Sequence, residues 1–239
     1  MSLDERKQVS LDILNYIDEV CKRKNMSYYL AYGTLLGAIR HNGFIPWDDD
    51  VDIWVRADDY WKFAELMRKS KYDILFYPYN NGWDMHFMKI SDASTVIKDN
   101  NTLTKRGVAV DVFPLVENYS GMLTGLVKVA NWYRNPAVGG IKLFVKMCPE
   151  KVTYHFLKQV MLAKDRKGYL YSLFSSYIIE KNTYKAEWFE TSYHEFEHQK
   201  FRIPLNYDAV LTKLYGDYMT PPNMNERNSC HDVEAYWKE

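Results

Sequence analysis

Two hydrophobic periods alternate along this chain, and the switches between them mark its elements. Val9, Ile13, Ile17, Val20 and Cys21 recur at spacings of three and four with charges between them. That spacing predicts an amphipathic helix ending near Lys24 and Asn25 and covering a sheet. The Tyr- and Leu-rich stretch 27–32 then runs into Gly33 and Thr34, and a helical stretch over 35–40 ends at the turn signal Asn42-Gly43. The order is strand, glycine turn, short helix. Pro46 bars helix at Ile45, and beyond it Val51, Ile53 and Val55 alternate with Asp50, Asp52 and Trp54. Period two over 51–55 predicts a half-buried strand.

Further on, Asp58 is read as the N-cap of a helix over 60–69, and 73–77, 85–90 and 95–98 as short strands interrupted by Asn80-Asn81-Gly82. The clearest later strand covers 108–113. Past Pro114 the period changes: 122–133, 141–147 and 152–162 read as helices, punctuated by Asn135-Pro136 and Gly139-Gly140. The pattern predicts an α+β fold, a mixed sheet flanked by helices with a helical insertion in the middle third. One domain is expected, with a core over 1–117, a mainly helical insertion over 118–190 and a C-terminal segment, 191–239, that returns to the core.

A chain of 239 residues buries enough surface to need no disulfide scaffold. Its 31 Lys and Arg balance 31 Asp and Glu, so no overall field attracts nucleic acid or an anionic membrane. Any phosphate chemistry must come from a local site. The longest uncharged stretch, 25–39, is too short and polar to span a bilayer, and residues 1–7 are charged with no apolar run behind them. A cytoplasmic protein is expected, with at most peripheral membrane contact. Cys21, Cys148 and Cys230 are odd in number and far apart, which speaks for reduced, buried thiols. An aromatic content of 16%, with 20 Tyr and 7 Trp, suits both cores with wet edges and sites that stack on sugars, bases or quaternary ammonium groups.

The chemistry concentrates at Asp48, Asp49, Asp50 and Asp52. Strand alternation puts Asp50 and Asp52 on one face, with Cα atoms about 7 Å apart. Two such charges about 6 Å apart, at an effective dielectric near 20, repel by roughly 3 kcal/mol. A hard divalent cation, Mg2+ or Mn2+, turns that cost into binding, with substrate phosphate as the usual further ligand. Asp111 is the candidate third carboxylate, since Val108, Val110 and Val112 take one face of their strand and leave Asp111 on the other. Its neighbour in the sheet is expected to be the strand of Asp50 and Asp52. For Asp48 and Asp49 a solvated turn explains the charges equally well. An acidic pair inside a β-branched strand resists that explanation. An EF-hand is discounted because Ile53 stands where its loop needs glycine.

Gly33-Thr34, between strand and helix, is a place where free backbone N–H groups attract phosphate. A phosphate cradle facing a metal-binding acidic strand is what phosphoryl or nucleotidyl transfer requires. The continuous run over 33–53, from Gly33-Thr34-Leu35-Leu36-Gly37 through His41-Asn42-Gly43-Phe44 to Trp47-Asp48-Asp49-Asp50-Val51-Asp52-Ile53, resembles the signature of the LicD family of phosphocholine transferases. Val110-Asp111-Val112-Phe113-Pro114-Leu115, Ile203-Pro204-Leu205 and Leu214-Tyr215-Gly216-Asp217-Tyr218 with Pro221-Pro222 agree with it. The resemblance implies a nucleotidyltransferase-like sheet in which Gly33 and Thr34 hold nucleotide and Asp50, Asp52 and Asp111 hold metal and carry catalysis. It also implies transfer of phosphocholine, or a related phospho-alcohol, from a CDP-linked donor to a saccharide hydroxyl, free or lipid-linked. One aspartate, Asp111 first, would take the acceptor's proton.

Other residues are open to two readings. Arg40 is a candidate grip for a donor phosphate or a partner for an aspartate, and Lys89 a phosphate contact or an edge-strand lysine. Trp47 either stacks on a base or sugar or plugs the core locally. His194-Glu195-Phe196-Glu197-His198 matches HExxH, but Phe196, Phe201 and Ile203 before Pro204 read as a hairpin, which excludes the helical zinc site. His86, His155 and His231 stand isolated and are taken as structural. The basic, apolar stretch 120–147 is read as a helix packed on the domain in preference to one lying on a membrane. A catalytically silent glycan-binding protein with the same fold is the alternative function.

Overall fold

A computed structural model describes residues 1–76, 87–98, 106–117, 158–159, 161–162, 168–173, 175, 180–224, 227 and 234–238. Helix α1 (Leu3–Lys24) opens on a capping box between Ser2 and Glu5 and closes at Asn25, whose φ of 49° is left-handed. Its buried stripe includes Val9, Ile13, Ile17, Val20 and Cys21, as the spacing requires. Then come β1 (Tyr28–Leu30), α2 (Tyr32–His41), β2 (Val51–Arg56), α3 (Ala57–Met67), β3 (Asp73–Leu75), β4 (Met88–Ser91), β5 (Thr95–Lys98) and β6 (Ala109–Val116). The C-terminal half supplies β7 (Tyr169–Ser172), β8 (Thr183–Lys185), a 3-10 turn (Ala186–Phe189), β9 (Thr191–Phe196), β10 (Gln199–Pro204), α4 (Tyr207–Tyr215) and β11 (Glu234–Trp237).

The expected α+β class holds. Seven strands form one mixed sheet in the order β1-β2-β6-β4-β3, with β7 on β6 and β8 on β7. Among the described residues only β2 and β6 pair in parallel, and this pair is the centre of the sheet. Val51, Ile53, Trp54, Val55, Val110 and Val112 are fully buried, because a parallel pair covered on both faces reads as nearly continuous apolar sequence. Helices α1 and α3 both pack on β2 and β6. β9 and β10 form a separate hairpin, and β5 pairs with β11.

Three expectations are corrected. Asp58 does not cap α3: β2 passes into the helix without a loop, Arg56 is the N-cap, and Asp58 and Asp59 lie in the first turn, where they favour the helix dipole. β6 runs past Phe113 to Val116, because Pro114 sits in the gap where pairing to β4 has ended at Val112 and pairing to β7 begins at Leu115. A proline is tolerated at that break. Within 118–190, expected to be mainly helical, the strands β7 and β8 join the main sheet. With four and three residues they are too short to display a period.

The predicted helices over 122–133 and 141–147 lie outside the described residues, as do Cys148, Cys230, His86, His155 and His231. Of 152–162, Lys158, Gln159, Met161 and Leu162 have helical backbone. Among the described residues no helix is long and apolar enough to cross a membrane. Cys21 is a buried free thiol, its pKa pushed up to about 12 by burial, which makes it inert.

Tyr60 ties α3 to the sheet: its hydroxyl donates to Val112 O and accepts from Met88 N, both at 2.9 Å. Tyr60→Phe removes a hydrogen bond from each of two buried backbone groups, a loss of about 1–3 kcal/mol. A lowered urea midpoint checks this, and an unchanged midpoint contradicts it.

Candidate active site

The site begins where β1 becomes α2. Tyr32 makes that turn alone, with a φ of 42°, a left-handed conformation that costs a bulky residue about 1–3 kcal/mol. Its buried ring meets Trp54 and Phe113 edge-on at 4.9 and 5.2 Å, and its hydroxyl lies 2.6 Å from Ser172 Oγ. These contacts hold the strained residue in place. The turn leaves α2 with no side-chain cap, so its first-turn N–H groups have no partner within the helix.

This turn also grips the acidic strand. Asp52 N donates to Thr34 Oγ1 at 2.8 Å, and Ala31 N donates to Asp52 O at 2.9 Å. A Cβ added at Gly33 would stand 2.6 Å from Asp48 Oδ2, so only glycine lets the carboxylate approach so closely. The predicted glycine turn and acidic strand are thus in direct contact.

Register assembles the rest. Asp52 is opposite Asp111 on β6, and Asp111 is opposite Lys89 on β4. In-register residues share a face, so the three form a row across the sheet, with Asp50 two residues earlier on that face. The row bears out the expected neighbourhood of Asp111. Lys89 is not on an edge strand, as β4 lies between β6 and β3. It is 6% exposed and Asp111 9%, and its ammonium donates to both carboxylate oxygens of Asp111. Neither group is offered to a ligand in this arrangement.

The remaining acids carry the strain of like charge. Burial first, then Asp50 and Asp111, push the Asp52 carboxyl well above its ordinary value, with Lys89 opposing. Asp48 is pushed up to about 7 by burial and by Asp50, with which it shares a hydrogen bond. Asp111 is raised by burial against the pull of Lys89. Asp49 is set apart: it is buried and its Oδ2 lies 2.5 Å from Arg6 Nη1 on α1. Asp48 therefore belongs to the site and Asp49 to the scaffold. Their odd-even spacing with Asp50 and Asp52 was the available signal.

An all-carboxylate donor set is the choice of a hard divalent ion. Among the described residues no group of three His, Cys, Asp or Glu side chains stands ready to hold a metal. The fit is a narrower one. Magnesium is commonly held by one or two carboxylates together with substrate phosphates, and Asp50 with Asp52 answers that description while Asp111 serves Lys89.

Arg40 is not beside the glycine turn. It lies six residues along α2 from Thr34, roughly 9 Å at helical rise, and its Nη1 donates to Tyr218 O at 2.8 Å. Glu197, read in the sequence only as part of the HExxH match, braces the loop before the aspartates. It sits at the β9–β10 turn with a φ of 49°, its Oε1 accepts from Phe44 N at 3.0 Å and its N donates to Asn42 O at 3.0 Å. The HExxH residues form this hairpin, with His194 opposite Phe201 and the His198 side chain 95% exposed at the turn, which removes the zinc-protease geometry.

Lys89→Met strands a buried carboxylate and should cost about 3–5 kcal/mol in a urea titration, with recovery when Asp111→Leu is added. A single variant as stable as the parent contradicts the pairing. Asp48 predicts a pH dependence. An acid whose pKa is raised in the folded state binds its proton more tightly there, so stability is greatest below the ordinary value of 3.8 and is lost as pH rises to about 7. Metal-free protein should show that descent in its denaturation midpoints, and Asp48→Asn should make it shallower. Identical slopes would refute it.

Residues 25–137 match the family model described as the LicD/FKTN/FKRP nucleotidyltransferase domain. The lipopolysaccharide cholinephosphotransferase LicD of Haemophilus influenzae is 30% identical over an alignment of 266 positions that spans 99% of this chain and 98% of that protein. The ribitol 5-phosphate transferase FKRP of Mus musculus and of Homo sapiens is 43% identical over 44 residues, 18% of this chain and 9% of FKRP. With the acidic row, the glycine turn and this end-to-end similarity together, the chain belongs to the LicD family.

Proposed function

We propose that this protein transfers a phospho-alcohol, phosphocholine first, from a CDP-linked donor to a saccharide hydroxyl of a surface glycan or its lipid-linked precursor. The reading rests on one observation above all. Asp50 and Asp52, both half-buried, stand in an acidic row whose backbone is held at Asp52 by the turn at Gly33 and Thr34. The similarity to a lipopolysaccharide cholinephosphotransferase supports the substrate class, and the short match to a ribitol 5-phosphate transferase supports phospho-alcohol chemistry in general. The protein works in the cytoplasm, at the inner membrane face when the acceptor is lipid-linked.

Asp50 and Asp52 would hold Mg2+ or Mn2+, which when bound neutralises donor phosphate charge and favours departure of CMP. The chain's own groups do the rest. Backbone N–H groups at Gly33 and Thr34 take donor phosphate at the uncapped start of α2, where the helix dipole favours an anion. Thr34, its oxygen already accepting from Asp52 N, keeps that phosphate in step with the acidic strand. Asp111 and Lys89 neutralise each other beside Asp52, so the negative charge of the row is left to Asp50 and Asp52, where a cation would be held, with no excess behind. The proton of the attacking hydroxyl passes to a carboxylate of the row.

Asp52→Asn should lower cation-dependent release of CMP from CDP-choline, with acceptor present, by about a hundredfold or more, while circular dichroism stays that of the parent. Full turnover by this variant would remove the assignment and leave glycan binding as the function to pursue.

A further inference from the structure

The acidic row occupies one end of α2, and the other end gathers a different set of side chains. Arg40, in the last turn, places Nε 3.5 Å from His41 Nδ1 and donates from Nη1 to Tyr218 O. His41 meets the edge of Trp47 at 6.3 Å between ring centroids, and the guanidinium of Arg227 lies over the same indole, 4.8 Å from its centroid. Arg227 is steadied by Nε donating to Pro222 O at 2.9 Å. All four residues are half-exposed. His41 and Arg227, from opposite ends of the chain, thus meet one ring, with Arg40 beside His41.

Partly buried arginines and lysines elsewhere divide into those held by backbone carbonyls, as Lys7 is by Ile45 O and Pro46 O and Arg202 by Met26 O, and those with acids. Arg6 has Asp49, Arg56 has Glu117 and Lys89 has Asp111. Among the described residues neither Arg40 nor Arg227 forms an ion pair. They act on each other instead: burial and the charge of Arg227 lower the Arg40 pKa, and burial and Arg40 lower that of His41. Gathering like charges is unfavourable unless an anion joins them. Each guanidinium has five N–H donors in a planar fork, and the carbonyls of Tyr218 and Pro222 take only part of that supply.

The position of the cluster gives it a use. Trp47 is followed directly by Asp48, whose carboxylate rests against Gly33. One loop therefore links the cluster to the acidic row, and among the described residues none of the three bases forms an ion pair with it. We propose that Arg40, His41 and Arg227, arranged about Trp47, form an anion subsite that takes a phosphate group of a substrate. Bidentate pairing with phosphate oxygens suits the two forks, and the indole gives them a flat support. Two substrates could carry that phosphate, the diphosphate of a nucleotide donor or a phosphorylated saccharide acceptor. The choice of substrate rests on the transferase reading; the anion site does not.

The test is a calorimetric titration of the full chain with inorganic pyrophosphate in the absence of divalent cations and of turnover. The parent should bind, Arg227→Gln should weaken binding about tenfold or more, and Arg227→Lys should fall between them, since an ammonium keeps the charge and loses the fork. Arg227 is preferred because its side chain is at the surface; Arg40→Gln is the second variant, with its melting temperature as the check on folding. No pyrophosphate binding by the parent, or equal affinity in parent and both Gln variants, overturns the proposal. Steady-state assays then separate the sources: a rise in donor KM with kcat kept assigns the donor diphosphate, and a rise in acceptor KM alone assigns a phosphorylated acceptor. Weakened pyrophosphate binding with both KM values unchanged would overturn the assignment to a substrate. As the titration involves neither Asp52 nor metal, its failure and that of the transferase reading are distinguishable.

Discussion

The parallel pairing of β2 with β6 places Asp52 directly opposite Asp111, and the site cannot exist without that register. Shifting either strand by one residue would send its carboxylate to the opposite face and bring valine or isoleucine into the row. The apolar partners prevent the shift: Val51 is opposite Val110 and Ile53 opposite Val112, all fully buried. The hydrophobic face of the sheet thus sets the geometry of its charged face. Burial also makes the acids expensive, because each loses solvation beside its like. Lys89 offsets this for Asp111, at the position the antiparallel β4 register provides.

Four aspartates within five positions have separate work. Asp49 joins the acidic loop to Arg6 on α1, so the first helix positions the site as well as covering the core. Asp48 closes on Gly33, and Asp50 and Asp52 face the row. The loop before them is held from the far end of the chain, where Glu197 meets the backbone of Asn42 and Phe44. A Cβ at Gly43 would lie 2.3 Å from Glu197 Oε1, so that glycine is required by close approach. The C-terminal hairpin is therefore part of what shapes the N-terminal site.

Sequence reasoning succeeded where a local period met a strong burial preference. The alternation over 51–55, the opposite placement of Asp111, the turn at Asn42-Gly43 and the hairpin in place of an HExxH helix all follow from patterns a few residues long. What escaped it depends on contacts between distant segments. Nothing near Lys89 indicates that its ammonium will meet Asp111, because the partner lies 22 positions away. Arg40 was read as a phosphate grip or an aspartate's partner, and nothing near it indicated that its guanidinium would meet Tyr218 O, 178 positions away. The strain at Tyr32 was equally invisible, since its compensation comes from Trp54, Phe113 and Ser172.

That strain has a consequence for coupling. A left-handed tyrosine lets a strand become a helix in one step, which puts Thr34 close enough to hold Asp52 by its backbone N–H. A looser turn with a glycine at 32 would avoid the cost but would lose the ring that fixes it between Trp54 and Phe113. An anion arriving at the start of α2 is one hydrogen bond from the acidic strand, through Thr34. Any displacement of Thr34 must move Asp52 or break that bond. Under the proposed function, donor binding at this turn and carboxylate placement are mechanically one event, and the buried scaffold behind Tyr32 keeps that event reproducible.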